Sequence, residues 1–553
     1  MNRKYIILIT IIVLSGILLL FTYVKQGTPI DIEEKTSRKV LLIPLDSRPP
    51  CRDFPVVLGK MADYEMILPP SRAQDYYTEA GDTALMEEWL FDTMPSANYA
   101  IISIDQLMHG GLLSAREKAA SEEEMDAFIE KIKKLREKNP RVPIYAFYVL
   151  PRMSPQADVE NHKERQALME LSRLMGKQNA GLPVDENKIL RLMEQISDEH
   201  LTDYIEKIDS NTLFALKLSL LAKEGVITRL ILSQDDGEIY SIPNIEKENI
   251  RNFLNENKIT GDKVFITHGA DEIAMTLLAE IKAKEAGLSP KIHIQYNDEK
   301  VKDKVLPFMA VSLEDCVNEK IEMLYGEDVP MSKDADFTLY VSSNSTDTMN
   351  TRKRSVEDIF TLTKENEVAL VDLSEHYRFA EILLPLLINE RFAVNKLLAY
   401  SGWNTASNSI GTALAAGIIY SAAKKRAKTD ADILRTHYYR LTFLNNRILE
   451  DAYYLKDVID LVNISLIKEG YKNTADLDLR NNAKYADAAL TEAMEKRIDR
   501  YKNTTSFKLP ITIKLKDSEK NIRVKNINTE MYFPWPRTFE IRLENSLELE
   551  FTE

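Results

Sequence analysis

The sequence predicts an α/β protein built from parallel sheets and crossover helices. Apolar runs of four to seven residues, such as 40–45 and 99–104, alternate along the chain with amphipathic helical patterns. This alternation is typical of buried parallel strands. Most of the runs end directly in a dense cluster of polar residues. Because α/β folds bind their ligands at the carboxyl ends of the strands, these clusters predict a binding or active site.

Eleven segments have the composition of strands, namely 40–45, 64–68, 99–104, 143–149, 228–233, 263–267, 291–296, 308–312, 337–342, 368–373 and 396–400. Helical patterns separate most of them, as parallel crossovers require, and the clearest lie at 123–138, 213–223, 273–284, 380–387 and 410–422. Eleven strands exceed the eight of a single barrel. Two architectures therefore stay open: two doubly wound lobes at 40–290 and 291–425, which we favour, or one (β/α)8 barrel with insertions.

Three further segments differ in pattern from the lobes. Residues 155–209 are long, charged and without a strand signal, which predicts a helical insertion in the first lobe. Residues 429–505 are again helical in pattern. Residues 506–553 alternate apolar and polar positions, which predicts a small β element.

The amino-terminal segment predicts a membrane location. A short positive start at Asn2, Arg3 and Lys4 precedes 19 residues without a charge, from Ile6 to Val24. Such a run is about long enough to cross a bilayer, and the positive end would stay in the cytoplasm. We expect an uncleaved transmembrane signal anchor at 1–25, a linker at 26–39 and an extracytoplasmic domain, with a cleaved signal peptide as the alternative.

Composition and missing motifs exclude several classes of function. The 553 residues carry a formal net charge of −14, so the basic surface that nucleic acid binding needs is absent. No GxGxxG or GxxxxGK[ST] motif follows a strand, so no dinucleotide or nucleotide cofactor is expected, and no GxSxG motif predicts the nucleophile of a classical esterase. The two cysteines, Cys51 and Cys316, form no CxxC pair, and no HExxH spacing predicts a metal site.

Five separated motifs resemble a known family. They are PLDSRP at 44–49, SIDQLMHGGLLSAR at 103–116, LSQDDG at 232–237, GWNT at 402–405 with Asn408 and Gly411, and FPWPRTFE at 533–540. In this order they resemble the bacterial family DUF4127 over nearly the whole chain after the amino-terminal segment. The function of that family is unknown, so the resemblance implies no mechanism.

The clearest catalytic candidates are Asp235 and Asp236. Two adjacent carboxyl groups in a dry site do not both ionise easily, so one tends to keep its proton and an acid and a base lie side by side. Glycosidases use paired carboxylates of this kind. The arrangement is similar to the Asp-Asp pair of retaining hexosaminidases, in which one Asp orients the substrate acetamide and the other protonates the leaving oxygen. The alternative is a turn or a helix cap.

Three residues after the last predicted strand are candidates for holding a sugar. Trp403 could stack on the apolar face of a sugar ring, and Asn404 and Asn408 could hydrogen-bond to its hydroxyl or acetamide groups. The alternative is a buried tryptophan beside asparagines that cap the next helix.

The remaining strand ends add further candidates for substrate binding: Asp46, Arg48, Asp105, Gln106, His109, Arg152, His268 and Asp271. Arg48 and Arg152 could bind a carboxylate or a phosphate, or could be internal partners of Asp46 and Asp105. His268 could also bind a metal together with the strand-end aspartates.

Together these features predict a membrane-anchored extracytoplasmic hydrolase, most plausibly a glycoside hydrolase. Its expected partners are a carbohydrate-type small molecule or glycan as substrate and the membrane through the amino-terminal helix, without nucleic acid, metal or cofactor. A metal-dependent hydrolase and a non-catalytic carbohydrate-binding envelope protein stay open as alternatives.

Overall fold

The computed structural model describes residues 27–34, 36, 38–155, 159, 161–344, 349–390 and 392–552. The first lobe contains a six-stranded parallel sheet with the strand order β3-β2-β4-β5-β6-β7. In chain order, the elements up to its last strand are β1 (Thr28–Pro29), β2 (Arg38–Ile43), α1 (Pro49–Met61), β3 (Tyr64–Ile67), α2 (Thr83–Thr93), β4 (Tyr99–Ser103), α3 (Ile104–His109), α4 (Leu112–Ala115), α5 (Glu122–Lys138), β5 (Ile144–Leu150), α6 (His162–Asn179), α7 (Glu186–Met193), α8 (Asp198–Lys223), β6 (Arg229–Gln234), α9 (Ile242–Glu256) and β7 (Val264–His268).

The second lobe contains a five-stranded parallel sheet with the strand order β12-β11-β10-β8-β9. Its elements are α10 (Ile273–Ala286), β8 (Lys291–Tyr296), α11 (Leu313–Met323), β9 (Glu327–Asp328), β10 (Phe337–Ser343), α12 (Met349–Glu365), β11 (Val368–Leu373), α13 (Leu384–Asn389), β12 (Ala399–Ser401) and α14 (Ala406–Arg426). In both sheets the chain first adds a strand on one side and then continues on the other. The reversal lies between β2 and β4 in the first sheet and between β8 and β10 in the second, and such reversal points are where open sheets bind ligands.

A helical region and an antiparallel sheet complete the chain. The elements are α15 (Asp430–Arg447), a π-helical segment (Ile448–Val458), α16 (Ile459–Lys468), α17 (Ala483–Lys502), α18 (Thr505–Lys508), β13 (Ile511–Lys514), β14 (Glu519–Tyr532) and β15 (Arg542–Thr552). Strands β13, β14 and β15 form the antiparallel sheet, and β1 pairs with its β15 edge.

The largest apolar cluster joins the two lobes. Helix α10 packs on the first sheet, α14 packs on the second, and the two helices pack on each other. Small side chains allow this close approach: a Cβ on Gly411 would lie 2.4 Å from the side chain of Glu272. The core therefore fixes the two sheets relative to each other and places their carboxyl ends beside one cleft.

Local sequence signals explain several element boundaries. Ser121 and Glu124 form a capping box at the start of α5, whose first turn is acidic and whose last turn is basic. All seven residues of β5 are buried, which agrees with its continuous apolar sequence. Helix α1 begins at two prolines, which suit the first helical turn because no backbone N–H is needed there.

The predicted fold class is confirmed, and the barrel alternative is wrong because the two parallel sheets are open and separate. Ten of the eleven predicted strands overlap observed strands, whereas 308–312 is a loop. Phe308 has a left-handed backbone with φ of 64°, and Ser312 caps α11, so this segment cannot continue as a strand. The helical character of 162–223 and 430–502 and the β structure of the last residues agree with the sequence patterns. The domain boundaries themselves stay a prediction.

The predicted membrane location requires a correction. The proposed anchor at 1–25 lies outside the described residues. Within the described part of the chain, no helix combines the length and the apolar composition that a membrane span requires. This finding overturns the prediction of a single-pass membrane protein, and the transmembrane and signal-anchor assignments are withdrawn.

Candidate functional site

One group of charged side chains at the strand ends is closed on itself. We call it the Arg48 cluster, and it consists of Asp46, Arg48, Asp271 and Asn404. Arg48 Nη2 donates to Asp46 Oδ2 and to Asp271 Oδ1, each at 2.6 Å. Asn404 Nδ2 donates to Asp271 Oδ2 at 3.2 Å. Asp46 and Asp271 are almost fully buried, so their charges are compensated inside the protein and not by water.

The Arg48 cluster connects the two lobes. Asp46 follows β2, Asp271 follows β7, and Asn404 follows β12 of the second sheet. Although burial acts in the opposite direction, Asp271 and Asp46 raise the pKa of Arg48 well above its ordinary value. The structure therefore brings together four of the predicted site residues, Asp46, Arg48, Asp271 and Asn404. Their polar groups bind one another.

Two further residues support the loop of this cluster: Asp75, which the sequence argument passed over, and the predicted site residue Gln106. Asp75 Oδ1 accepts a hydrogen bond from the backbone N–H of Ser47 at 2.8 Å. With its amide oriented to donate, Gln106 hydrogen-bonds to Asp75 Oδ1 at 3.2 Å and to the carbonyl oxygen of Leu45 at 3.3 Å. Burial, and then the nearby charge of Asp46, raises the pKa of Asp75 to about 8. Gln106 thus has a positioning role beneath the β2 loop.

The carboxyl-terminal motif at 533–540 covers the other side of the same loop. Trp535 Nε1 donates to Ser47 Oγ at 2.8 Å, and the guanidinium carbon of Arg48 lies 5.4 Å from the centre of the Trp535 ring. The guanidinium carbon of Arg537 lies 4.8 Å from the same ring centre. Ser47 and Trp535 are 488 residues apart in sequence. The carboxyl-terminal motif therefore fixes the loop after β2 through a long-range contact.

A second group of charged side chains faces open space. We call it the Arg152 cluster, and it consists of Arg116, Arg152, Asp235 and Asp236. Arg116 forms an ion pair with Asp235. Asp236 experiences the positive charges of Arg116 and Arg152. The Nε of Arg152 is buried and has no hydrogen-bond partner among the residues that the structure describes. Unlike the Arg48 cluster, this group is incompletely partnered.

The two adjacent aspartates have different environments. Asp235 is paired with a guanidinium group, which favours a carboxylate. Burial raises the pKa of Asp236 above its ordinary value, although the charges of Arg116 and Arg152 oppose this effect. Burial also lowers the pKa of Arg116 to about 9, with the neighbouring charge of Arg152 as the next cause. The pair therefore contains one paired carboxylate and one carboxyl group with an increased tendency to hold its proton.

Two open spaces meet at Arg152. The interlobe cleft is lined by Asp236 and Gly237 of the first lobe, by Arg173 and Lys177 of α6, and by 305–309 and Glu375 of the second lobe. The inner pocket is lined by Asp105, Arg116, Tyr204 and Asn211. Arg152 lines both spaces. Asp236 and Arg152 therefore border the same cleft.

Asp105 lies on the inner pocket and is buried. Its Oδ2 accepts a hydrogen bond from the backbone N–H of Val149 at 3.0 Å. Burial raises the pKa of Asp105 to about 7. Asp105 thus belongs to the pocket wall beside Arg116 and Arg152, and it has no ion-pair contact with any residue that the structure describes.

Three of the seven described non-glycine residues with a positive φ angle lie in loops at the strand ends of the second lobe. Phe308, Tyr377 and Asn404 have positive φ angles of 64°, 54° and 47°. The Tyr377 hydroxyl donates to the carbonyl oxygen of Asn404 at 2.9 Å, and Phe308 is 56% exposed. Left-handed conformations of large residues cost free energy, and they occur preferentially at functional sites.

Two predicted site residues, Trp403 and Asn408, are buried in this structure. Trp403 is 4% exposed, packs edge-to-face on Phe54 and donates through Nε1 to Thr412, so it does not offer a face for sugar stacking. Asn408 accepts a backbone hydrogen bond from Ala270 at 3.4 Å.

The two histidines also have structural surroundings. His268 lies between Glu319, at 2.9 Å from Nδ1, and Lys247, at 3.2 Å from Nε2. The charged neighbours of His109 are Glu124 and Lys118. Neither histidine therefore joins the strand-end aspartates, because each side chain is directed toward an adjacent helix.

The residues that sequence reasoning missed also follow strands. Gln74 and Asp75 come after β3, and Tyr377 comes after β11. The polar stretches at 71–75 and 374–377 are the signals that could have identified them. Trp535 lies in one of the family motifs, and its contact with Ser47 is a long-range contact that periodicity does not reveal.

A metal site can be tested against the donor atoms. Among the described residues, one group of three acidic or thiol side chains brings its ligand atoms within 4.8 Å of one another: Asp46, Cys51 and Asp271. The guanidinium of Arg48 already donates to both carboxylates at 2.6 Å. A metal ion would have to displace this cation, so the residues fit a guanidinium better than a metal. Both cysteines are buried free thiols.

Comparison with protein families identifies the chain. A family model described as "Protein of unknown function (DUF4127)" matches residues 40–544. The chain belongs to DUF4127. A search of curated proteins finds no match. Membership of DUF4127 agrees with the resemblance of the five motifs, four of which supply residues of the Arg48 and Arg152 clusters.

Proposed function

We propose that the protein is a hydrolase that cleaves a glycosidic bond in the interlobe cleft, with Asp236 as general acid. The observation that carries this proposal is the difference between the two adjacent carboxyl groups. Asp235 is paired with Arg116, whereas burial raises the pKa of Asp236 at the edge of the cleft. Paired carboxyl groups with opposite protonation are what glycoside hydrolysis requires.

The chemical step uses the proton of Asp236. Asp236 donates this proton to the glycosidic oxygen as the bond to the anomeric carbon breaks, and the leaving group departs as an alcohol. A water molecule then adds to the anomeric carbon and gives its proton back to the carboxylate of Asp236. In this proposal the carboxylate of Asp235 stabilises the positive charge that develops on the sugar.

Aromatic and polar groups of the cleft would hold the sugar. Tyr240 and the exposed ring of Phe308 line the interlobe cleft, and Tyr377 lies close enough to Asp236 to sense its charge. These side chains replace Trp403 as candidates for contact with the apolar face of a sugar ring.

The proposal is tested by turnover of a panel of chromogenic glycosides. The wild-type protein is expected to hydrolyse at least one member of the panel. Asp236→Asn is expected to lower kcat by about 10²- to 10⁴-fold, the usual contribution of a general acid. Asp517→Asn is the matched control, because Asp517 lies in an exposed loop before β14 and should leave kcat unchanged.

Two results would contradict the proposal. The first is an Asp236→Asn protein that is folded and retains the wild-type kcat. The second is a wild-type protein that hydrolyses no glycoside of a panel covering neutral, acetamido and acidic sugars.

A further inference from the structure

We propose that the substrate carries an anionic group, a carboxylate or a phosphate on the sugar, and that Arg152 binds this group where the interlobe cleft meets the inner pocket. The inference rests on the proposed function for its sugar, but the anion site itself rests on separate observations. These are the position of Arg152, its unused hydrogen-bonding capacity and the charges around it.

Arg152 is placed to reach a bound molecule from either space. It lines the interlobe cleft together with Asp236, and it lines the inner pocket together with Arg116. Its Nε is buried without a hydrogen-bond partner among the described residues. A buried guanidinium N–H without a partner costs free energy, and a ligand oxygen would remove that cost.

Within the two clusters, and among the residues that the structure describes, Arg152 is the cation without an ion-pair contact to a carboxylate. Arg48 is compensated by Asp46 and Asp271, and Arg116 is compensated by Asp235. When Asp236 holds its proton, as the acid role requires, no ionised carboxyl group within the Arg152 cluster remains for Arg152. An anionic group of the substrate would complete this set of ion pairs.

Neighbouring cations strengthen the argument. Burial lowers the pKa of Arg116, and the positive charge of Arg152 lowers it further. Burial also lowers the pKa of Arg152, and the positive charge of Arg165 acts in the same direction. Positive groups that lie side by side repel each other, and an anion bound between them offsets this repulsion by attracting both. The chain holds 86 acidic and 72 basic residues, so a shortage of acids does not explain the arrangement.

The guanidinium group suits both anions that we consider. Its planar fork donates two parallel hydrogen bonds to a carboxylate or to a phosphate. The two sources have the same recognition chemistry, and the test must distinguish them.

The experiment measures binding by titration calorimetry at constant ionic strength. The probes are glucose, glucuronate, glucose 6-phosphate and inorganic phosphate. The proteins are the wild type, Arg152→Gln, Arg152→Lys and Arg191→Gln. Arg191 is the matched control because its side chain is 61% exposed on α7 and lines neither space.

The wild type is expected to bind at least one anionic probe more tightly than glucose. Arg152→Gln should weaken that binding by about tenfold or more, which is the effect of losing a charge-assisted hydrogen bond. Arg152→Lys should retain part of the affinity, and Arg191→Gln should retain all of it. Tighter binding of glucuronate identifies a carboxylate, and tighter binding of either phosphate probe identifies a phosphate.

Equal affinity of the wild type and a folded Arg152→Gln protein for every anionic probe, including no measurable binding to either, would overturn the inference. Asp236→Asn separates this inference from the proposed function. If Asp236→Asn leaves kcat unchanged while Arg152→Gln still loses the anion, the acid role fails and the anion site stands. If only the binding result fails, the acid role stands.

Discussion

The Arg48 cluster and the Arg152 cluster both combine arginine and aspartate side chains at the same edge of the first sheet, but their polar groups are partnered to different extents. In the Arg48 cluster one guanidinium bridges two buried carboxylates, and Asn404 occupies a further carboxylate oxygen. In the Arg152 cluster the ion pair of Arg116 and Asp235 leaves Asp236 and Arg152 facing open space. The difference lies in how completely the polar groups are satisfied.

This difference assigns a role to each cluster. A fully satisfied buried network holds one geometry, and the Arg48 cluster connects loops from both lobes in this way. A partly satisfied network has capacity for a ligand. We therefore assign the Arg48 cluster to positioning the lobes and the Arg152 cluster to chemistry.

Removing the central cation of the Arg48 cluster should have the largest effect on stability. Arg48→Met leaves two buried carboxylates without their partner, which is expected to lower the free energy of unfolding by about 3–5 kcal/mol. Denaturant unfolding followed by circular dichroism measures the change. The control is Arg251→Met, which removes an exposed ion pair with Glu248 and should change the free energy by about 0.5 kcal/mol or less. A loss of stability as small as that of the control would mean that the Arg48 cluster does not hold the lobes.

The sequence predicts most of the fold because the strands are buried on both sides. Continuous apolar runs such as 144–150 and 368–371 have no polar face, and they are unlike the helices around them. The prediction of a strand at 308–312 was wrong because an apolar stretch in a loop of the cleft has the same composition as a short strand.

The site is only partly predictable because composition does not distinguish a satisfied polar group from an open one. Asp46 and Asp236 both follow strands, and their contacts alone separate a structural role from a chemical one. Trp403 is a second example. An indole at a strand end is compatible with sugar stacking or with packing in the core, and only the tertiary structure shows that it packs on Phe54.

Asp105 lies beside the Arg152 cluster and, among the described residues, has no ion-pair partner. Its protonation therefore offers a further test of how the two clusters differ. Burial raises the pKa of Asp105 to about 7, so the folded protein holds this proton more tightly than the unfolded chain. The resulting stabilisation is fully present below the ordinary pKa of an aspartate and is lost as the pH rises to about 7.

Asp105→Asn should remove this pH dependence. Between pH 5 and pH 8 the free energy of unfolding of the wild type should fall by about 2–3 kcal/mol more than that of the variant. Asn can still accept the hydrogen bond from the Val149 N–H, so the fold should be retained. Urea unfolding at the two pH values measures the difference, and parallel pH profiles for the two proteins would refute the burial of an ionisable carboxyl group at this position.

The central claim is that Asp236 acts as the acid of the cleft under the influence of Arg152. The most direct measurement is the pH dependence of kcat/KM for a hydrolysed glycoside in the wild type, Arg152→Gln and Arg191→Gln. Activity should fall as the pH rises through the pKa of Asp236. Since the charge of Arg152 lowers that pKa, Arg152→Gln should move the alkaline limb to higher pH by about one unit, and Arg191→Gln should leave it in place. An alkaline limb that stays fixed or moves to lower pH in Arg152→Gln would contradict the account.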